Sequence, residues 1–300
     1  MQSSTHASAT EMAPATSPEP ERVGSAWVLF LRHHGPMVFG ALVLALIVAA
    51  ALLAPWLGTA DPQKLAPAAR LKLPSAQYWF GTDALGRELY SRVLYGGRVS
   101  LLVGFSVAAL AMLGGLVLGL LTGFFRQLDA LLMRVLEAFM AIPAILLAIA
   151  LIALTRASVE NVIIALAIAE TPRVTRLVRA VVLTLREQTY VEAAIAIGTP
   201  PMLILLRHIA PNALAPLIVQ GTFICGSAII SESILSFIGA GTPPSVPTWG
   251  SIISEGRSYF QLFPNIIFFP AVFLSLTVLS INLIGDGLRD LLDPRLSREL

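Results

Sequence analysis

The chain is 300 residues long, 56% apolar and only 13% charged, against roughly 25% charged in an ordinary soluble domain, so lipid is its implied solvent. A formal net charge of +2, with basic residues in short separate clusters, leaves no electrostatic footprint for nucleic acid. The single Cys225 excludes an intrachain disulfide and a cysteine metal cluster, and reads as a small apolar packing residue.

Residues 1–35 open with a stretch rich in Ser, Thr, Ala, Pro and Glu, without a basic segment leading into an apolar core. They predict a disordered tail and no cleaved signal. Residues 36–57 form the first apolar segment. About 20 residues at 1.5 Å each cross a hydrocarbon core of roughly 30 Å, so this is a span, and Arg22 and Arg32 before it favour a cytoplasmic N-terminus.

Residues 58–98 form a polar, proline-containing connection. Its Gly81, Gly86, Gly96 and Gly97 imply tight turns, and Asp83, Arg87, Glu88 and Arg92 are placed to tie it together by charge pairs. Five more apolar segments follow, at about 99–121, 131–154, 161–183, 213–238 and 266–284, which makes six spans. Between the second and third, Arg126/Asp129 and Arg134/Glu137 are spaced to pair along a helix surface. Pro143 predicts a kink in the third. The fourth is interrupted at Glu170-Thr-Pro-Arg173. Arg173, Arg176 and Arg179 then fall on one helix face and leave Val174, Leu177, Val178 and Val181 for packing.

Residues 187–212 are a polar-edged island containing Tyr190-Val-Glu-Ala-Ala and ending Arg207-His-Ile-Ala-Pro-Asn212. They read as two short helices broken at Gly198, which supplies a left-handed residue. Thr199 is the expected N-cap, Pro200 the first helical position, and Pro211-Asn212 the close of the second helix. Further on, Glu232 is the costly residue of an apolar segment and must face the bundle interior or a cavity, with Ser231, Ser233 and Ser236 as partners. Its role is either structural or in a solute pathway. The proline-rich run 241–250 ends in Trp249-Gly250, where the Trp suits a membrane interface.

Chemistry is missing from this inventory. There is no phosphate-binding Gly-x-x-x-x-Gly-Lys-Ser/Thr loop, and the only lysines are Lys64 and Lys72. His6, His33, His34 and His208 have no metal-site spacing, and no Ser-His-Asp set shares a face, so a catalytic site and a membrane hydrolase are not expected.

Glu192-Ala193-Ala194, Gly198 four residues later, and Arg207-His208-Ile209-Ala210-Pro211-Asn212 resemble the coupling loop of bacterial ABC importer permeases. The resemblance spans about residues 80–296 and is closest to the second permease of the dipeptide, oligopeptide and nickel branch. It implies an all-α integral membrane protein, a type I ABC importer permease bundle of about six transmembrane helices. Both termini would be cytoplasmic in a bacterial inner membrane. Residues 58–98 would be an external loop, and 99–288 a five-helix core holding the coupling loop. A cytoplasmic tail, 289–300, would follow. Glu192, Ala193, Ala194, Gly198, Thr199, Pro200, Pro201, Arg207, His208, Pro211 and Asn212 would couple to ATPases. Gly81, Asp83, Gly86, Arg87, Arg92, Trp249 and Gly250 would carry the external-loop motif, in which Glu88 replaces the usual Asp. Ser231, Glu232 and Ser236 are candidates for the substrate pathway. The implied partners are a second permease, two ATPase subunits holding ATP and Mg, an external solute-binding protein and membrane lipid. Peptides are the expected solutes of the branch, although nickel, opines and some oligosaccharides use similar permeases. The alternative is a secondary carrier or channel, which would be expected to show internal repeats.

Overall fold

The computed structural model describes residues 34–292. All but the end of the tail expected over 1–35, and the last eight residues of the one expected over 289–300, lie outside the described residues. The elements are helices α1 (Gly35–Leu52), α2 (Leu89–Phe124), α3 (Arg126–Met140), α4 (Ala144–Ala153), α5 (Val159–Arg186), α6 (Thr189–Ala196), α7 (Pro201–Ile204), α8 (Ala210–Phe237), α9 (Trp249–Gly256) and α10 (Asn265–Leu292). A π turn at Leu205–Ile209 joins α7 to α8.

Three helices and the fused α7–α8 rod are long and apolar enough to cross a membrane, and the bent pair α3–α4 makes a fifth candidate. The sixth segment is α5, whose 28 residues cover about 42 Å. Several boundaries differ from those expected. Helix α2 begins at Leu89, ten residues before its apolar segment, because the chain is already packed there: Leu89, Arg92 and Val93 are buried. Gly96 and Gly97 therefore lie inside a helix and make no turn. They admit the backbone at Thr248 and the ring of Trp249, which would stand 3.3 and 3.0 Å from added Cβ atoms.

The third segment is not one kinked span. Helices α3 and α4 meet at 90° across residues 141–143, where Pro143 has no N–H to continue the first helix. Ten residues of α4 cover about 15 Å, half a hydrocarbon core. Helix α3 buries only Met133. Its expected local pairs give way to a long-range one: Asp129 takes both its oxygens to Arg179 of α5, at 2.5 and 2.7 Å.

Helix α5 runs unbroken through Pro172. It starts at Ser158, whose Oγ accepts the Asn161 N–H at 3.1 Å, and ends with Arg186 in its last turn, favourable to the helix dipole. Val174, Val178 and Val182 are fully buried, each against a glycine of α2. A Cβ on Gly115, Gly119 or Gly123 would lie 2.4–2.6 Å from the facing valine Cβ. Glycines four apart thus form a groove and valines four apart a ridge, so the two backbones approach closely. Among the described helices, this pair makes the most extensive contact.

Helix α1 exposes Phe39, Leu42 and Leu46, a face suited to lipid. It is tied down where its last carbonyls lack intrahelical donors: Arg98 donates to Ala51 O at 2.6 Å and Leu52 O at 2.8 Å. The first four residues of the expected tail, 289–292, continue α10 as helix.

Candidate functional site

The turn around Gly198 is built by backbone hydrogen bonds. Helix α6 ends at Ala196, and the chain reverses through Gly198 at φ +80°. The Gly198 N–H donates to Ile195 O at 2.9 Å and the Thr199 N–H to Ala194 O at 3.1 Å, the paired bonds of a Schellman stop. The next helix starts one residue later than expected. Pro200 is the extended N-cap and Pro201 the first helical residue, because Pro201 forces the residue before it out of the helical region.

The second helix is also not closed by Pro211-Asn212. Pro211 stands at the start of α8, and the π turn before it bonds the Ala210 N–H to Leu205 O. The widened ring relieves the clash a proline ring makes with the preceding turn. The rod thus continues to Phe237. Asn212 closes the stretch in another way, donating to His208 O at 2.7 Å and reaching the Tyr190 hydroxyl at 3.4 Å. Of the residues expected to act here, Ala194 is buried and Thr199 and His208 are half-buried; Glu192, Ala193, Gly198, Pro200, Pro201, Arg207, Pro211 and Asn212 are exposed. Around them, Ile195, Ile197, Met202, Leu203 and Leu206 present apolar surface, with Ile197 83% exposed. Val191, Ile204, Leu205 and Ile209 are buried on the other side and fix the turn to the bundle.

The connection before α2 is held by a buried ion network. Asp83 Oδ2 lies 2.6 Å from both Arg87 Nε and Arg92 Nη1, and its Oδ1 accepts the N–H groups of Leu85 and Arg87. Glu255 of α9 joins both guanidiniums, at 2.5 Å to Arg87 and at 2.6 and 3.0 Å to Arg92. Two carboxylates thus balance two arginines. Glu255 takes the place expected of Glu88, which turns away to Ser91 and the Ala60 N–H. Sequence spacing favoured Glu88 because it is local; a carboxylate more than 160 residues on gives no such signal. Gly81 and Gly86, at φ +84° and +76°, shape the tight turns expected of them.

Trp249 does not face a membrane interface but the protein interior. It is fully buried at the first position of α9 and donates from its ring to Val93 O at 3.0 Å. Gly250 beside it lets α9 lie against α8, since an added Cβ would meet the Ser233 backbone at 2.5 Å. Thr248 caps α9 in a reciprocal capping box with Ser251.

Glu232 is fully buried beside this junction. It accepts from Ser236 at 2.7 Å and, more weakly, from Ser100 of α2 at 3.4 Å. Ser100 also accepts the Trp249 N–H, and Ser236 meets Thr242. Ser231 makes no bond to it, being about 100° around the helix, and Ser233 Oγ has no partner. The carboxylate therefore joins α2, α8 and the start of α9 rather than facing an open cavity. Ser100 was missed because nothing in sequence links it to a residue 132 positions away.

Residues 115–298 match the family of binding-protein-dependent transport system inner membrane components. The chain belongs to this family. It is 45% identical over 294 residues to a putative peptide transport system permease protein of Brucella abortus, covering 97% of this chain and 99% of that protein. It is 40% identical to the dipeptide transport system permease protein DppC of Alkalihalophilus pseudofirmus, covering 89% and 88%. To the glutathione transport system permease protein GsiD of Escherichia coli it is 41% identical, covering 90% and 89%. Solved inward-facing structures of the MetNI methionine ABC transporter share the fold, with a TM-score of 0.54 at 22% identity over 67% of this chain and 96% of theirs.

This ABC transporter permease is a non-catalytic membrane subunit of the kind whose ATPase is a separate chain. Among its described residues no group of His, Cys, Asp and Glu is arranged to hold a metal. The matched region begins at Gly115, so it contains most of the α2–α5 groove, the Gly198 turn and Glu232.

Proposed function

We propose that this permease forms half of the transmembrane pathway of an ATP-driven importer of peptides, and that the Gly198 turn couples it to ATPase subunits. The apolar exposure at Ile195, Ile197, Met202, Leu203 and Leu206 carries this reading. These are five exposed apolar side chains on a turn stopped and restarted by backbone geometry, which suits docking into a protein groove. The rim of the turn supplies Glu192 and Arg207. ATP and Mg are held by two partner ATPases, a second permease completes the pathway, and an external binding protein delivers the solute. The peptide assignment rests on the relatives' names, "peptide", "dipeptide" and "glutathione". A self-sufficient carrier or channel finds no support in a family of binding-protein-dependent components.

The reading sets both termini in the cytoplasm, with residues 58–98 external and 187–212 cytoplasmic. The ion network is then a scaffold on the outer side, and Glu232, buried and accepting from Ser236 and Ser100, is structural. Reconstitution in liposomes tests the function: ATP-dependent peptide uptake is expected only when this chain, the second permease, both ATPases and the binding protein are all present. Saturable ATP-driven uptake by this chain alone defeats it. For orientation, cysteine at the exposed Gln77 is expected to react with an impermeant reagent from outside, and cysteine at the exposed Asp290 only from inside. The reverse pattern overturns the topology.

A further inference from the structure

The exposed face of α5 is unlike the other outward surfaces of the bundle. Where α1 shows Phe39, Leu42 and Leu46, α5 shows Arg173 and Arg176, about 60° apart around the helix. These arginines are not at a membrane edge. Helix α2 is uncharged between Arg98 and Arg126, so its midpoint is near Met112. Thr171 and Val174 of α5 stand opposite Gly114 and Gly115, and the carbonyl of Thr175 opposite Gly119. At 1.5 Å per residue, Arg173 is about 5 Å from that midpoint and Arg176 about 10 Å, both inside a hydrocarbon half-thickness of roughly 15 Å.

The Arg173 side chain is not directed toward the near interface. Side chains on a helix lean toward its N-terminus, which from these positions leads back to the middle of the bilayer. Arg173 does this visibly, reaching Glu170 one turn back at 3.1 Å while its own side chain stays 58% exposed. Glu170 is 5% exposed and its carboxylate is committed to that pair. Arg176 has no ion-pair or hydrogen-bond partner among the described residues. Glu170, Arg173 and Arg176 thus carry a net charge of +1, on a surface that acyl chains would not tolerate.

We propose that this face lines the aqueous pathway between the two permease halves, and that Arg173 and Arg176 take the carboxylate of the passing solute there. The proposal rests on the reading of the chain as half of a solute pathway. A peptide supplies the complementary group as its C-terminal carboxylate, and a planar guanidinium matches it with paired donors. Glu170 is a positioning residue, holding Arg173 against the helix so that its free N–H groups point into the path.

The test uses the full complex carrying Arg176→Cys. The native Cys225 is buried and leaves little background. Assembly with the second permease and the ATPases is expected to be unchanged, and peptide uptake to fall at least tenfold. Treatment with 2-aminoethyl methanethiosulfonate, which restores a positive charge, is expected to recover uptake several-fold. The 2-sulfonatoethyl reagent is expected to react and not to recover it. In the purified complex without binding protein, glycyl-leucine is expected to slow the modification, and its C-terminal amide to leave it unchanged. A thiol unreactive to both reagents shows that the face is not wet and overturns the proposal. So does loss of assembly, which assigns the arginines to an acidic group of the second permease, and so does equal protection by acid and amide. Failure of the peptide assignment appears separately, as no peptide uptake by the unsubstituted complex. The labelling is read without uptake, and protection is then scored with acetate against acetamide.

Discussion

Gly198→Val is expected to leave the permease inserted in the membrane, to weaken retention of the ATPases and to lower uptake about 5–30-fold. An added Cβ at Gly198 meets nothing within 4 Å, so collision contributes nothing. The cost is the backbone itself: a side chain at φ +80° destabilises by roughly 1–2 kcal/mol, which is about 5–30-fold in population. The strained turn would relax by giving up the Gly198 and Thr199 N–H bonds that aim α7. The spans do not depend on those bonds. Gly198→Asn is the control, since Asn tolerates the left-handed region and has the same open space. ATPase co-purification and uptake, each normalised to inserted subunit, give the comparison. Wild-type values for both in the Val variant would sink the coupling assignment.

Arg92→Ala is expected to have the largest effect on stability. Arg92 is 1% exposed and bridges Asp83, whose side chain is 2% exposed, to Glu255. Removing one partner of a buried pair typically costs 3–5 kcal/mol, because the other charge is left uncompensated. Arg87 still neutralises Asp83 in part, and the Glu255 half, with a side chain 32% exposed, is screened by solvent. The loss is therefore placed at the lower end, about 3 kcal/mol. Arg92→Lys should recover little of it, since one ammonium cannot reproduce the two-nitrogen grip on Glu255. Thermal unfolding in detergent, with proteolysis of residues 58–88, measures the effect. A change under 1 kcal/mol in the Ala variant would show that the network is dispensable.

Features set by local chain geometry were legible in the sequence. Gly198 as a left-handed stop and Val174 and Val178 as the packing side of α5 follow from residue type and helical spacing, and the structure has them. Four of the six apolar segments follow from run length as single helices and a fifth as the bent pair, but their ends do not, since packing carries α2 ten residues further toward its N-terminus and α10 through Leu292. What was illegible depends on the third dimension. Gly96-Gly97 has the composition of a turn and serves close approach; Asp129 has a local arginine and pairs with a distant one; Trp249 has the chemistry of an interface residue and is fully buried. Pro211 failed differently. A proline reads as a helix break, whereas one wide turn before it lets the helix pass. In the site itself, the exposed residues of the turn could be named in advance, but Glu255 and Ser100 could not, because both act across more than 130 positions.

That wide turn matters for how motion travels. From Pro201 to Phe237 the permease has 37 residues of continuous helix, a shaft of about 55 Å at 1.5 Å per residue. One end carries the exposed turn and the other carries Glu232, tied through Ser100 to α2 and, by way of the same hydroxyl, to the start of α9. Swung by 10° about its middle, such a shaft moves each tip by about 5 Å in opposite senses. A push at the Gly198 end would therefore arrive at the Thr242–Thr248 segment as an opposite displacement of similar size, without any element between them changing its fold. The π turn is one joint along the shaft, next to the push, and Pro216, which has no N–H to give to the preceding turn, is a second. Beyond Pro216 the helix runs on to Phe237 without a further proline and carries the stroke to its far end.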